Sequence, residues 1–252
     1  MSTRTAYITT SWDDGHPLDH RLADLLHAHG LTGTFYVPPR SQNQTMDPPA
    51  VRALADAGFE VGAHTLNHVF LDGADDATAE REIDGSRKWV QDVTGRPCPM
   101  FCPPGGKYAG REVRLIRAAG FAGLRTVELL SIDPPRHADG LDVLPTTVQA
   151  HPHRRGAYLR NGAKRRSPAN VLAYLRAGAP TDWVALLERQ LARTARHGGV
   201  CHLWGHTWEI DQHGQWAAVE RAFAAMARHA AAGMTCLTNG DLREQSRAAP
   251  TR

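Results

Sequence analysis

The chain has 252 residues, enough for one large α/β domain or two small ones. Its composition, 42% hydrophobic and 22% charged, is ordinary for a globular protein, and a formal charge of only +3 gives no support to a nucleic-acid partner. No apolar run approaches the ~18 residues of a membrane span, and no cationic segment leads into an apolar one at the N-terminus. A cytoplasmic protein with no membrane or nucleic-acid partner is therefore expected. Cys98, Cys102, Cys201 and Cys236 form no CxxC pair, which fits reduced core thiols.

In chain order, short β-like runs alternate with amphipathic helical stretches. The strand "AYITTSW" precedes a helix with Leu18, Leu22, Leu25 and Leu26 on one stripe and Gly30 as its stop signal. Next come the strand "TGTFYVP", a helix from Pro48 to Gly58, the short strand "FEVGAH" and a helix from Ala77 to Val93. The strand "PMFCPP", the helix "GREVRLIRAAG" and the strand "FAGLRTV" follow. After a long irregular stretch come two helices, the strand "GVCHLWGH", another helix and the strand "MTCLT". Repeated βα units imply a parallel sheet with helical crossovers. About seven units without a GxGxxG fingerprint favour a closed or nearly closed barrel, as one domain over residues 1–252.

In such barrels the site lies at the C-terminal ends of the strands. Asp13 and Asp14 fall at such an end, as do His64, the Cys102–Gly106 segment, Arg125 and His206. Adjacent side chains on a strand point to opposite faces, so Asp13 and Asp14 can both face a site only where the strand gives way to a loop. Gly15 marks such a place. "HTLNH" sets His64 and His68 at i, i+4, where a helical turn would bring them to one metal ion. Chance alone supplies such pairs among 14 histidines, and His16/His20 and His202/His206 share the spacing; His64/His68 stands out by following a strand end. One carboxylate and two imidazoles suit a mononuclear site with open positions, and the second carboxylate is then free to act as a base.

In order and separation, "SWDDG" and "HTLNH" resemble the two leading motifs of the NodB-like polysaccharide deacetylase family, over roughly Ala6 to Leu237. The resemblance implies a distorted, incomplete (β/α) barrel of about seven parallel strands. It implies one divalent metal, usually zinc, held by Asp14, His64 and His68, with Asp13 as the base. The family's third motif, Arg-x-Pro-aromatic-Gly, corresponds to "FCPPGG", with Cys102 in place of the arginine and Gly105 in place of the aromatic. Gly105 can still offer a backbone N–H to an oxyanion, and Arg125 is the candidate substitute for the missing arginine. "VCHLWGH" offers His206 or His202 for the family's last histidine; His206 lies nearer the strand end and is preferred as the acid, His202 then being a buried, hydrogen-bonded residue.

The implied reaction removes an N-acetyl group from a small-molecule or oligosaccharide amino-sugar substrate and releases acetate. Cleavage of another non-peptide C–N bond on the same scaffold is the alternative, and a non-catalytic sugar-binding relative a third. Trp12, Trp204 and Trp208 are candidate sugar platforms, although core packing is the commoner role for any one such tryptophan. The acid-free segment "HPHRRGAYLRNGAKRR", His151 to Arg166, is expected to be irregular. It is either a solvated charge run or a loop whose Arg154 and Arg155 contact an anionic group on the substrate.

Overall fold

In the computed structural model, which describes residues 5–248, the strands are β1 (Ala6–Asp13), β2 (Thr34–Val37), β3 (Glu60–Ala63), β4 (Met100–Phe101), β5 (Gly123–Arg125), β6 (Arg136–Ala138), β7 (Leu141–Leu144), β8 (Val148–Gln149), β9 (Gly199–Gly205) and β10 (Thr235–Cys236). The helices are α1 (Asp19–Ala28), α2 (Pro48–Asp56), α3 (Asp76–Thr94), α4 (Gly110–Ala118), α5 (Arg155–Lys164), α6 (Pro168–Arg176), α7 (Trp183–His197), α8 (Thr207–Gln212), α9 (Trp216–Ala231) and α10 (Asn239–Ala248).

The strands form one curled sheet in the order β6-β7-β5-β4-β3-β2-β1-β9-β8, with β10 pairing to β1. Every pairing is parallel except β6 with β7. The path ends at β6 and β8, so the barrel is distorted and incomplete. The central strands are buried, as parallel strands covered by crossover helices must be. Helices add their apolar stripes to that core: Leu22 and Leu26 of α1, Val51 and Leu54 of α2, Trp183, Leu187 and Leu191 of α7.

The sheet brings distant parts of the chain to one end. Asp13 pairs in register with Tyr36, and Trp12 with Gly205. The C-terminal ends of β1, β3, β5 and β9 thus converge, carrying Asp13, His64, Arg125 and His206.

Three strands lie where the sequence reads as irregular. β6 and β7 form a hairpin whose turn, Asp139-Gly140, has φ of 51° and 84°. An Asp-Gly pair with both φ positive is a standard tight-hairpin connection. β8 is only two residues long and holds the sheet edge beside β9.

The segment His151–Arg166, expected to be irregular, is instead mostly helical: α5 covers residues 155–164. Its stripe Ala157, Arg160, Asn161 and Lys164 faces a cavity rather than the core. Its buried residues, Tyr158 and Gly162, meet α6 through Tyr174, 4.9 Å away ring to ring, and Val171. A helix whose apolar contacts number so few shows no hydrophobic period to read.

Candidate metal centre and active site

Two adjacent carboxylates face one site because the backbone turns over between them. Asp13 ends β1, and Asp14 takes φ +76°, followed by Gly15 at +60°. Aspartate tolerates this left-handed region better than most residues. A Cβ at Gly15 would lie 2.6 Å from Val37, so the turn needs glycine on both conformational and steric grounds.

"HTLNH" is not helical as the spacing predicted. It is a bend after β3, with Thr65 at φ +61° and His68 at +53°. Thr65 Oγ1 accepts from the Val69 N–H (3.1 Å), and buried Glu82 of α3 accepts from both the backbone and the side-chain amide of Asn67 (2.8 and 2.6 Å). These clamps still bring the two imidazoles together, with ring centroids 5.0 Å apart.

Asp14 Oδ1 lies 3.5 Å from His64 Nε2 and 3.1 Å from His68 Nε2. The other carboxylate oxygen accepts from Trp208 Nε1–H at 2.8 Å, whereas Oδ1 is buried with no hydrogen-bond partner. His64 Nδ1 donates to the Cys102 carbonyl at 2.6 Å, which leaves its Nε2 as a lone pair turned towards Asp14. Two acceptors facing each other in a buried site call for a cation between them. Ligand atoms bonded at 2.0–2.2 Å around a tetrahedral ion stand ~3.4 Å apart, close to the spacings here. The residues therefore fit a divalent metal ion. Asp13, His64 and Cys102 also cluster. That set is the poorer one: Arg125 already holds Asp13, and burial pushes the Cys102 thiol well up, so it stays protonated.

Asp13 has different partners from its neighbour. Arg125, fully buried at the end of β5, donates to Asp13 through Nη2. Its guanidinium lies 5.1 Å from the Tyr36 ring and 4.9 Å from that of Trp204. On the pocket side, His206 Nε2 is 4.0 Å from Asp13 Oδ2. His206 Nδ1 donates to Glu209 at 2.6 Å, and the imidazole stands between Trp204 and Trp208, 5.6 Å from each. Burial would lower the His206 pKa, but the bond to Glu209 and the charges of Asp13 and Asp14 raise it above the ordinary value. His202 is instead fully buried. It accepts from Ser11 Oγ–H at 2.8 Å, donates from Nδ1 to the Pro145 carbonyl at 3.1 Å, and is driven down to about 3 by burial and Arg125.

Gly105 (φ +63°) sits in a 3-10 turn at the pocket wall. A Cβ there would meet the Phe70 ring at 2.7 Å. Phe70 thus takes the space into which an aromatic side chain at 105 would grow.

The cavity over these residues has a volume of about 610 Å³. Trp204 and Trp208 line it. Trp12 does not: it is a fully buried core residue, donating to Thr10 and packing edge-on against Phe223, so its assignment as a sugar platform is corrected. Arg154 and Arg155 are also corrected. Both are exposed outside the cavity, and Arg155 is engaged by the Ala179 carbonyl; Arg160 and Lys164 of the same segment line the cavity instead. Sequence reading missed Glu209, although an acid three residues after a candidate catalytic histidine on a helix start was there to be noticed. It missed Phe70 and Gln149, for which no local signal exists.

A parallel half-barrel that gathers an Asp–His–His cluster, a second carboxylate and a carboxylate-bound histidine at its strand ends offers a candidate metal site of the kind hydrolases use. Residues 1–124 match the family described as polysaccharide deacetylase. The chain belongs to this NodB-like family. It is 27% identical over 117 residues to a peptidoglycan-N-acetylglucosamine deacetylase of Bacillus cereus, covering 45% of this chain and 53% of that one. It is 24% identical over 121 residues to the peptidoglycan-N-acetylmuramic acid deacetylase PdaA of Bacillus subtilis, covering 47% and 44%. The matches span about half the length of these curated relatives. Among solved structures, a provisionally assigned polysaccharide deacetylase from Mycobacterium smegmatis superimposes with a TM-score of 0.71 at 19% identity, over 100% of this chain and 95% of that one. A CE4 family pseudoenzyme from Bacillus anthracis gives 0.57 at 13% identity, over 96% and 66%. The fold alone therefore does not carry the activity, which must be argued from the site.

Proposed function

We propose that the protein is a metal-dependent hydrolase that removes an N-acetyl group from an amino-sugar-containing substrate and releases acetate. The observation that carries this reading is the division of labour between adjacent carboxylates: Asp14 faces two imidazoles, while Asp13 is held by a buried arginine and faces a third. Asp14, His64 and His68 would hold the ion, zinc in our reading, since one carboxylate and two imidazoles suit it. When bound, such an ion acts as a Lewis acid on the acetyl carbonyl and lowers the pKa of water.

The remaining steps belong to the chain's own groups. Asp13 takes a proton from the attacking water, with Arg125 fixing its orientation. The Gly105 N–H donates to the oxygen that gains charge at the acetyl carbon. His206 gives a proton to the departing nitrogen, because an amide nitrogen does not leave as an anion; Glu209 holds the imidazole through Nδ1 so that Nε2 faces the cavity. The water oxygen bonds to the acetyl carbon as the C–N bond breaks; one proton passes from water to Asp13 and one from His206 to nitrogen, giving a free amine and acetic acid, which ionises to acetate. Trp204 and Trp208 offer aromatic faces to a sugar ring. We place the protein in the cytoplasm, a reading supported by four free cysteines, three of them buried.

The test is acetate release across a panel of N-acetyl sugars by the zinc-loaded protein. Turnover that is lost in D13N supports the reading; no turnover of any panel member rejects it.

A further inference from the structure

We infer that α5 gives this active site a cationic subsite, formed by Arg160 and Lys164, for an anionic group (carboxylate or phosphate) carried by the substrate. Ala157, Arg160, Asn161 and Lys164 form one i, i+3, i+4, i+7 stripe of α5, and all four line the cavity that contains Asp13, Asp14 and His206. Two cations at i, i+4 repel each other; the C-terminal end of the helix dipole favours Lys164 in the last turn, but no acid stands in the first turn of α5 and none pairs with Arg160. Among the described residues neither cation has a carboxylate within ion-pair distance, whereas the neighbouring Arg165 lies 3.9 Å from Glu128.

The helix is also held in place against the cavity wall. Asn161 accepts from the Leu129 N–H at 3.0 Å and donates to the Val127 carbonyl at 3.3 Å, and Val127 and Leu129 line the same cavity. Two uncompensated cations on a pinned element are preorganised for an anion. Arginine offers a two-pronged hydrogen-bonding fork and lysine a point charge, and either oxyanion suits both. A cavity of about 610 Å³ holds one drug-sized molecule, so a group bound on α5 belongs to the same molecule whose amide meets the metal site.

This inference rests on the N-deacetylase reading, and the experiment separates the two. Calorimetry compares binding of N-acetylglucosamine, N-acetylmuramic acid and N-acetylglucosamine 1-phosphate to the zinc-loaded protein, alongside acetate release from each. The wild type is expected to favour at least one anionic sugar over the neutral one by about tenfold or more, the value of a charged hydrogen bond. That ratio should fall towards one in R160A/K164A and shrink with added salt. R154A, which alters an exposed arginine outside the cavity, should keep the wild-type ratio. The two anionic arms tell carboxylate from phosphate. Equal binding of all three sugars, no binding of any, or a preference that survives in R160A/K164A overturns the subsite. Anion-selective binding without acetate from any sugar would keep the subsite and reject the deacetylase reading. Circular dichroism of the double variant, altered only at exposed positions, checks that it is folded.

Discussion

Arg125, the last residue of β5, donates to Asp13, the last residue of β1, across 112 positions of sequence. Position 102, where the resemblance would place an arginine, is a cysteine, and a cation from the next strand reaches Asp13. Both groups are buried, so neither is screened by water, and removing one leaves the other without its countercharge.

R125A should therefore cost about 3–5 kcal/mol of stability and at least ~10²-fold in kcat/KM. The coupling between the two residues is the sharper readout. If Arg125 acts through Asp13, the D13N/R125A double variant loses little more activity than the worse single variant. Fully additive losses in a double-mutant cycle would show that Arg125 serves some other purpose.

The orphaned Asp14 Oδ1 leads to a prediction about metal. H68A and D14N should each lower metal occupancy sharply, measured by elemental analysis after dialysis. They should also abolish the rise in Tm that zinc gives the wild type. W208F removes the donor on the other oxygen of Asp14 and should weaken metal affinity by about tenfold, the usual cost of losing such an orienting contact. Full stoichiometric retention in H68A at unchanged affinity would show that the ligand set is wrong.

The bond from His206 to Glu209 sets a pH limb. Glu209, with Asp13 and Asp14, raises the His206 pKa against the opposing effect of burial, and a general acid must be protonated to work. Activity is then retained at neutral pH and falls as pH rises through the raised value. E209Q removes the hydrogen-bonded charge, so the alkaline limb of the kcat/KM profile should move to lower pH, with kcat falling at pH 8 more than at pH 6. An unshifted limb would assign that limb to another group.

Much of this site is legible in the sequence because it lies where β1, β3, β5 and β9 end, and those ends can be placed from short apolar runs that alternate with helical stretches. Asp13, Asp14, His64, Arg125 and His206 are read from that rule and His68 from its spacing to His64, and the structure brings them to one end of the sheet. What escapes reading has a physical reason in each case. β8 is two residues long, too short for any period. The β6–β7 hairpin had a usable signal in Asp139-Gly140, hidden by its charged first strand. Trp12 sits one position before the site residues, so the pleat sends it to the opposite face, into the core beside Phe223. Charge density and an expected loop point to Arg154 and Arg155; the segment is instead a helix, and the phase of α5 decides which cations reach the cavity, Arg160 and Lys164.

His202 completes the set, because its burial makes a prediction opposite in kind to that for His206. It is held neutral, with a pKa of about 3 against an ordinary 6.5, by burial and by Arg125. Below pH 6.5 the unfolded chain takes up a proton on this histidine and the folded chain does not. The stability of the wild type therefore falls with pH at up to about 1.4 kcal/mol per unit from this group, until pH approaches 3. H202A removes that titration. At pH 7 it also strands the Ser11 hydroxyl and the Pro145 carbonyl, costing about 1–3 kcal/mol plus the cavity left behind. Urea unfolding at pH 7 and pH 5 should show the gap between wild type and variant narrowing by about 2 kcal/mol at the lower pH. The catalytic signature should differ too. Loss of the acid hurts poor leaving groups most, so H206A should suppress amide hydrolysis more than hydrolysis of an activated acetate ester, while H202A lowers both together. Parallel stability curves would remove the buried-neutral assignment, and a leaving-group-selective defect in H202A would make that histidine the acid.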